Sequence, residues 1–313
     1  MPTMRRIQYD RYGGPELMRL EKFELSSPGT GQVLVRVLAA AANPMDWKVR
    51  NGDTKLMTGR RFPRGLGHDF AGLVEGVGAG VTRFRVGDAV LGAMSMKASG
   101  AFAEMVLADE NHITAKPAEL SYEQAAALPT PGVTALQSVI DNGELQAGQS
   151  VFINGCLGGV GRSAAQIALM HGASVGGSCR ASAKGEAKAL GIAPVVGFDF
   201  DPQVLKGQFD LIFDTAGTMS LKDARKMLNP GGRVIDINMT PAKMARSLVA
   251  RDYKGVIAKY TPSALETVAR AAAQGKLDLP VARAVPLTQA IDALTELERE
   301  RTPKGGKLVI TTQ

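Results

Sequence analysis

The rhythm of apolar positions along this chain changes near Pro129. Before it, apolar residues come in short bursts cut by glycine. Val33-Leu34-Val35-Arg36-Val37-Leu38 is rich in β-formers, and Phe70–Val77 is apolar with Gly72 and Gly76 inside it. Gly78-Ala79-Gly80 and Val86-Gly87-Asp88 mark turns. Short strands punctuated in this way predict a β-barrel-like domain. After Pro129, helical spacing alternates with short apolar runs. Helices are predicted over Thr134–Asn142, Gly161–His171, Lys184–Leu190 and Leu221–Leu228. Strands are predicted over Val151–Asn154, Val175–Gly177, Leu211–Phe213 and Val234–Ile237, the last fed by a turn at Pro230-Gly231-Gly232. That alternation predicts an α/β fold with a doubly wound parallel sheet. A further helix around 263–274 and a closing strand at Leu308-Val309-Ile310 read as a return to the first domain. The expected partition is 1–125 with 268–313 as one domain, and 126–267 as the other.

Within the alternating region, Val151–Lys184 carries the sharpest signal. A strand runs into Cys156-Leu157-Gly158-Gly159-Val160-Gly161, then a helix, then a second strand. Glycines at a strand-to-helix turn let a pyrophosphate reach backbone N–H groups at a helix N-terminus. An ordinary tight turn would carry the same glycines, and the first position of a full GxGxxG is filled here by Cys156. The spacing of Val160, Ala164, Ile167 and Ala168, with a stop at Gly172, favours the dinucleotide reading. An acid about 20 residues on would hold the ribose of NAD, whereas an arginine there meets the 2′-phosphate of NADP. Cys179 and Arg180 stand at that place, so NADPH is the expected cofactor. Lys184 is a further candidate; a solvated helix face is the alternative for Arg180 and Lys184 and the favoured reading for Lys188. Ligands in such sheets lie beyond the carboxyl ends of the strands, which adds Thr215 and Asn238, a plain turn asparagine being the alternative for the latter. Lys307, just before the last strand, is expected to reach the cofactor.

Composition narrows the class. The 313 residues are 45% hydrophobic, enough to bury cores. Two cysteines, Cys156 and Cys179, exclude a disulfide framework and a four-cysteine zinc lobe. The start MPTMRRIQYD has no apolar signal region, and no run of 18 apolar residues occurs. We therefore expect a cytoplasmic protein without membrane insertion. The net charge is +7, concentrated at Lys48, Arg50, Lys55, Arg60, Arg61 and Arg64 against the single acid Asp53. That stretch reads first as a solvated loop and second as an electropositive rim for an anionic cofactor or substrate. It is compatible with nucleic acid, but only Trp47 and Phe62 offer aromatic surface for stacking.

Taken together, the motifs resemble the medium-chain dehydrogenase/reductase superfamily and its zinc-independent quinone oxidoreductase branch. Tyr12-Gly13-Gly14-Pro15-Glu16-Leu17, Asn43-Pro44-Met45-Asp46, Gly67-His68-Asp69-Phe70-Ala71-Gly72 and Val86-Gly87-Asp88 follow in order. So do Gly132-Val133-Thr134-Ala135, Gly158-Gly159-Val160-Gly161, Pro230-Gly231-Gly232 and Gly305-Gly306-Lys307. The resemblance implies a GroES-like substrate domain with an inserted Rossmann domain, a cleft between them, and pairing into homodimers. It implies that Thr134 lies beside the nicotinamide; a plain helix cap is the alternative for this residue.

By the same resemblance, Asn43 stands where zinc-dependent relatives carry their first cysteine ligand, and His68 matches a zinc-ligand histidine. With no cysteine near, no metal is expected, and His68 is expected to be packed or hydrogen-bonded near the substrate, which Asp46 also lines. A metal-free reductase still needs donors for the negative charge that hydride transfer places on oxygen. Asn43 and Lys48 are the catalytic candidates, Trp47 is an apolar wall, and Asp46 braces its loop more naturally than it acts as acid or base. The expected activity is NADPH-dependent reduction of quinones or α,β-unsaturated carbonyls (enones). The alternatives are an enoyl-thioester reductase of the same superfamily, which leans on a tyrosine absent from 43–64, and a non-catalytic NADPH- or RNA-binding protein.

Overall fold

The computed structural model describes residues 4–238, 240–301 and 304–312. The chain divides into two compact units: residues 1–130, 260–274 and 279–313, and residues 131–259 with 275–278.

The first unit is built mostly on antiparallel strands, with one parallel pair, Val281–Pro286 beside Lys307–Thr311. Its larger sheet runs in the order Val281–Pro286, Lys307–Thr311, Gln32–Ala41, Asp69–Val77, Ala89–Ala93, Ile113–Ala115, with Met105–Asp109 also paired to Gln32–Ala41. The long strand Gln32–Ala41 alternates at first, with Val33, Val35 and Val37 turned into the core, and ends fully buried at Ala39–Ala41. Those valines pack with Phe70, Phe102 and Ile310 in one apolar cluster. A smaller sheet joins Arg19–Phe23, Met4–Tyr9 and Arg64–Gly65. The tail does return to this unit: Val309, Ile310 and Thr311 pair antiparallel with Ala41, Ala40 and Ala39.

The second unit holds a six-stranded, all-parallel sheet. Its order is Val195–Val196, Ser174–Ser178, Ser150–Asn154, Phe209–Asp214, Leu228–Asp236, Tyr253–Gly255. Numbered within the unit this is 3-2-1-4-5-6, the doubly wound Rossmann order, whose direction switches between Ser150–Asn154 and Phe209–Asp214. Both faces are covered, so the first strand is a continuous apolar run. Val151 and Ile153 pack with the helix Gly159–Met170 on one side, and Phe152 packs with Ile212, Met227 and Tyr253 on the other.

Some elements differ from the sequence expectation. The helix expected from Thr134 begins at Pro129 and runs to Leu136, followed by a π-helical turn over Gln137–Asn142. Prolines at helix positions without an N–H partner cost nothing, so Pro129 and Pro131 start this helix rather than precede it. Pro230-Gly231-Gly232 is a bulge inside the strand Leu228–Asp236, where the pairing jumps from Leu228 opposite Phe209 to Arg233 opposite Leu211. Among the described residues, no helix is long and apolar enough to cross a membrane.

Candidate active site

Two groups of candidate residues emerge, one in each unit. In the second unit the strand Ser150–Asn154 ends in a turn that depends on Gly155, at φ +86°. A Cβ there would lie 2.9 Å from Thr215 Oγ1. The tight-turn role expected to be missing at Cys156 therefore belongs to Gly155, one residue earlier. Gly161 is equally constrained: its Cβ would collide with the Gly155 carbonyl. Gly158 is the N-cap of the helix Gly159–Met170 and contributes no side-chain cap. The first-turn N–H groups of Gly159, Val160 and Gly161 are thus left for an acceptor from elsewhere.

A polar network at the ends of three neighbouring strands braces this turn. Ser178 Oγ donates to Asn154 Oδ1 at 2.5 Å, and Asn154 Nδ2 donates to Asp214 Oδ1 at 2.8 Å and Thr218 Oγ1 at 3.0 Å. Asp214 also accepts from the backbone of Gly217 and Met219, which shapes the loop after its strand. Thr215 Oγ1 donates to Asn154 O at 2.7 Å. Asn238 packs against that loop, since a Cβ on Gly217 would approach its side chain to 2.6 Å. Thr215 and Asn238 therefore lie together beyond the carboxyl ends of the strands.

Arg180 follows the strand Ser174–Ser178, is exposed, and pairs with no acid among the described residues. Lys184 lies a turn further on and is half-buried, as is Leu157. Cys156 and Cys179 are buried and within hydrogen-bonding reach of each other. Burial and the neighbouring thiol push Cys156 up to about 12, and burial also raises Cys179. Both are therefore neutral packing groups rather than nucleophiles. Gly177 makes the room: a Cβ there would come within 2.6 Å of the Cys156 Cβ. Thr134 is buried in the middle of the helix Pro129–Leu136, not at its N-terminus, so it is no cap.

The first unit holds a buried cluster around Asp69. Asn43 precedes the helix Pro44–Asn51, and its backbone N–H donates to Asp46 Oδ2 at 2.7 Å. Asp46 Oδ1 faces His68 Nδ1 at 2.6 Å, and both side chains are buried. Asp46 thus braces its loop and orients an imidazole. The His68 Nε2 is buried and has no hydrogen-bond partner among the described residues. The Asn43 amide donates to Asp69 Oδ2 at 2.9 Å and to Ala41 O at 3.3 Å, while its Oδ1 accepts from Lys307 Nζ at 2.6 Å. Asp69 further accepts from Thr130 N at 2.9 Å and Thr130 Oγ1 at 2.6 Å. Because the Thr130 proton points to Asp69, the Tyr260 phenol, 2.8 Å from Thr130 Oγ1, is the donor to it. Burial raises Asp69 to about 6, against the opposing pull of Lys307, Thr130 and Asn43. Burial lowers Lys307, while Asp69 and Asp46 hold it up.

Three expectations change here. Lys307 is buried against Ala42 and Asn43, where we expected it to reach for the cofactor. Asn43 has both amide hydrogens committed, so it serves as a brace in this structure. The basic stretch is neither wholly solvated nor wholly a rim. Arg50 is buried and donates to Glu298 at 2.7 Å, and Arg64 is buried and donates to Thr58 O at 2.6 Å, while Lys55, Arg60 and Arg61 are exposed. Trp47 is buried on the helix Pro44–Asn51 with the Arg301 guanidinium 5.4 Å from its ring centre, and Lys48 is half-buried on that helix. Thr130 and Tyr260 escaped sequence reasoning because nothing local marks them, whereas Gly155 was visible as a third glycine spaced three residues from Gly158.

Comparison with known proteins agrees with this architecture. Residues 29–118 match the family model of the alcohol dehydrogenase GroES-like domain, and residues 195–310 match that of zinc-binding dehydrogenases. Quinone oxidoreductase of Rattus norvegicus is 33% identical over 242 residues, covering 74% of this chain and 72% of that protein. A chloroplast envelope quinone oxidoreductase homolog of Arabidopsis thaliana is 29% identical over 93% of both chains. The solved quinone oxidoreductase of Coxiella burnetii superposes with a TM-score of 0.90 at 29% identity, over 100% of each chain. The chain therefore belongs to the medium-chain dehydrogenase/reductase superfamily of nicotinamide-dependent oxidoreductases, in its quinone oxidoreductase branch.

Proposed function

We propose that this protein is an NADPH-dependent reductase of quinones or α,β-unsaturated carbonyls that works without zinc. The observation that carries the reading is the uncapped helix N-terminus at Gly158–Gly161, followed at the next strand end by Arg180 in place of an acid. Backbone N–H groups of Gly159, Val160 and Gly161 would receive the pyrophosphate. Arg180, with Lys184 one turn later, would receive the 2′-phosphate, and Thr215 and Asn238 would line the nicotinamide half together with Thr134. Bound in this way, the cofactor supplies a hydride.

Hydride addition to a quinone or an enone spreads negative charge onto oxygen, and one proton completes the product, delivered to that oxygen in a quinone and to the α-carbon in an enone. Fixed hydrogen-bond donors in a water-poor setting stabilise such charge without a Lewis acid. Lys48 on the helix Pro44–Asn51 would supply such a donor, and Trp47 on the same helix an apolar wall. The donor set speaks against zinc. Both cysteines lie in the other unit, and among the described residues no three His, Cys, Asp or Glu side chains are grouped to hold a metal. The homodimer expected for this branch would form along the edge strand Tyr253–Gly255, beside which Leu248 and Val249 are exposed.

The test is cofactor preference. Arg180→Ala should raise KM for NADPH by roughly 10–100-fold, the size of one lost charge-assisted contact, and change KM for NADH less than about twofold. Steady-state kinetics with a quinone acceptor reads both. Equal changes for the two cofactors would remove Arg180 from the phosphate site.

A further inference from the structure

We propose that Lys307 is the resident cation of the Asp69 cluster, standing where zinc-dependent members of the superfamily hold their metal and fixing the Asn43 carboxamide that replaces their first thiolate. The inference rests on the metal-free reading given above.

Strand pairing places the lysine. Val309 lies opposite Ala41, so Lys307, two residues earlier, sits beside the turn from Ala42 into Asn43. Its Nζ donates to Ala42 O and to Asn43 Oδ1, each at 2.6 Å. The acids facing it are Asp69 and Asp46, and both favour its charged form. Around them stand His68, held by Asp46, and Tyr260, linked to Asp69 through Thr130. Buried carboxylates need a counter-charge, and either a metal ion or an ammonium group provides one.

Asn43 is what makes the ammonium solution consistent. Its carbonyl end meets the cation and its amide end meets Asp69 Oδ2, so its dipole lies along the line from cation to anion. A cysteine at this position would lose the bond to Asp69 and give Lys307 a thiolate to pair with. His68 already has the arrangement of a metal-ligating histidine, with a carboxylate on Nδ1 and a bare, buried Nε2. The cluster therefore lacks two things for a metal: a soft ligand at 43 and the absence of the lysine. Lys307 acts through Asn43 and Asp69, and is a positioning residue.

Cobalt(II) titration followed by visible absorption tests this on four purified proteins: wild type, Lys307→Ala, Asn43→Cys and Asn43→Cys/Lys307→Ala. Only the double variant should develop a thiolate-to-cobalt band saturating near one equivalent. Three outcomes overturn the proposal: stoichiometric uptake by the wild type, equal affinity in Asn43→Cys and the double variant, or a folded double variant that binds none. Should the double variant not fold, thermal unfolding decides. Lys307→Met should lower Tm, and adding Asp69→Asn should restore most of the loss. A further fall on adding Asp69→Asn refutes the charge pairing. NADPH oxidation by the wild type, with and without chelator, tests the underlying reading separately and can fail while the cobalt result stands.

Discussion

At Asp69, burial and hydrogen bonding pull in opposite directions, and burial wins. The carboxyl ends near 6 despite Lys307, two bonds from Thr130 and one from Asn43. Its folded value lies above its ordinary one of 3.8, so its contribution to stability is complete in acid and is lost as pH rises through about 6. Between pH 5 and pH 7.5 that linkage amounts to about 1.5 kcal/mol. Urea unfolding at the two pH values should show the wild type losing about that much more stability than Asp69→Asn across the interval. Parallel pH dependence in the two proteins would show that Asp69 titrates normally in the fold. In the sequence this residue stands out only as part of Gly67-His68-Asp69, beside the more conspicuous His68. What makes Asp69 special is a set of partners at 43, 130 and 307 that no local pattern joins.

Among the elements, the helix Pro44–Asn51 carries Asn43 at its start, Asp46, Trp47 and Lys48 along it, and Arg50 near its end. Arg50 anchors it: Nη2 donates to both oxygens of Glu298 on the helix Ala290–Glu300, at 2.9 and 2.7 Å, and Nε to Gly13 O at 3.1 Å. Both partners lie in the first unit, and the arginine is buried. Removing one side of a buried pair costs about 3–5 kcal/mol because the other charge is stranded. Arg50→Met should cost that much in denaturant unfolding, and Arg50→Met/Glu298→Gln should recover part of it. An effect below about 1 kcal/mol for the single variant would mean the pair is solvated.

From sequence, Arg50 looked like one more basic residue in a charged loop, since its partner is 248 residues away. Strands with strong apolar runs, such as Val151–Asn154, were legible, and so was Val175–Gly177 despite its glycines. The start of the helix at Pro129 was not, because prolines punctuate loops and open helices with equal ease.

For the whole molecule, the alternation after Pro129 was enough to expect a doubly wound sheet, and the structure supplies its 3-2-1-4-5-6 order. The return of the tail to the first unit was also readable, from the apolar Leu308-Val309-Ile310. Strand order itself follows from long-range pairing and is invisible to local periodicity. In the second unit the switch point collects Asn154, Gly155, Asp214 and Thr215, the neighbourhood where a dinucleotide is expected in such sheets. In the first, a buried lysine holds the Asn43 carboxamide that bonds Asp69. Together these features support hydride transfer from NADPH to a conjugated acceptor with no metal taking part. The most direct measurement is oxidation of NADPH and NADH by the purified protein over a panel of quinones, enals, enones and aldehydes, with and without a strong chelator. We expect turnover with a quinone or an enone, faster at limiting NADPH than at equal NADH, and unchanged by the chelator. Activity that disappears with the chelator and returns with zinc, or no oxidation with any acceptor, would contradict the account.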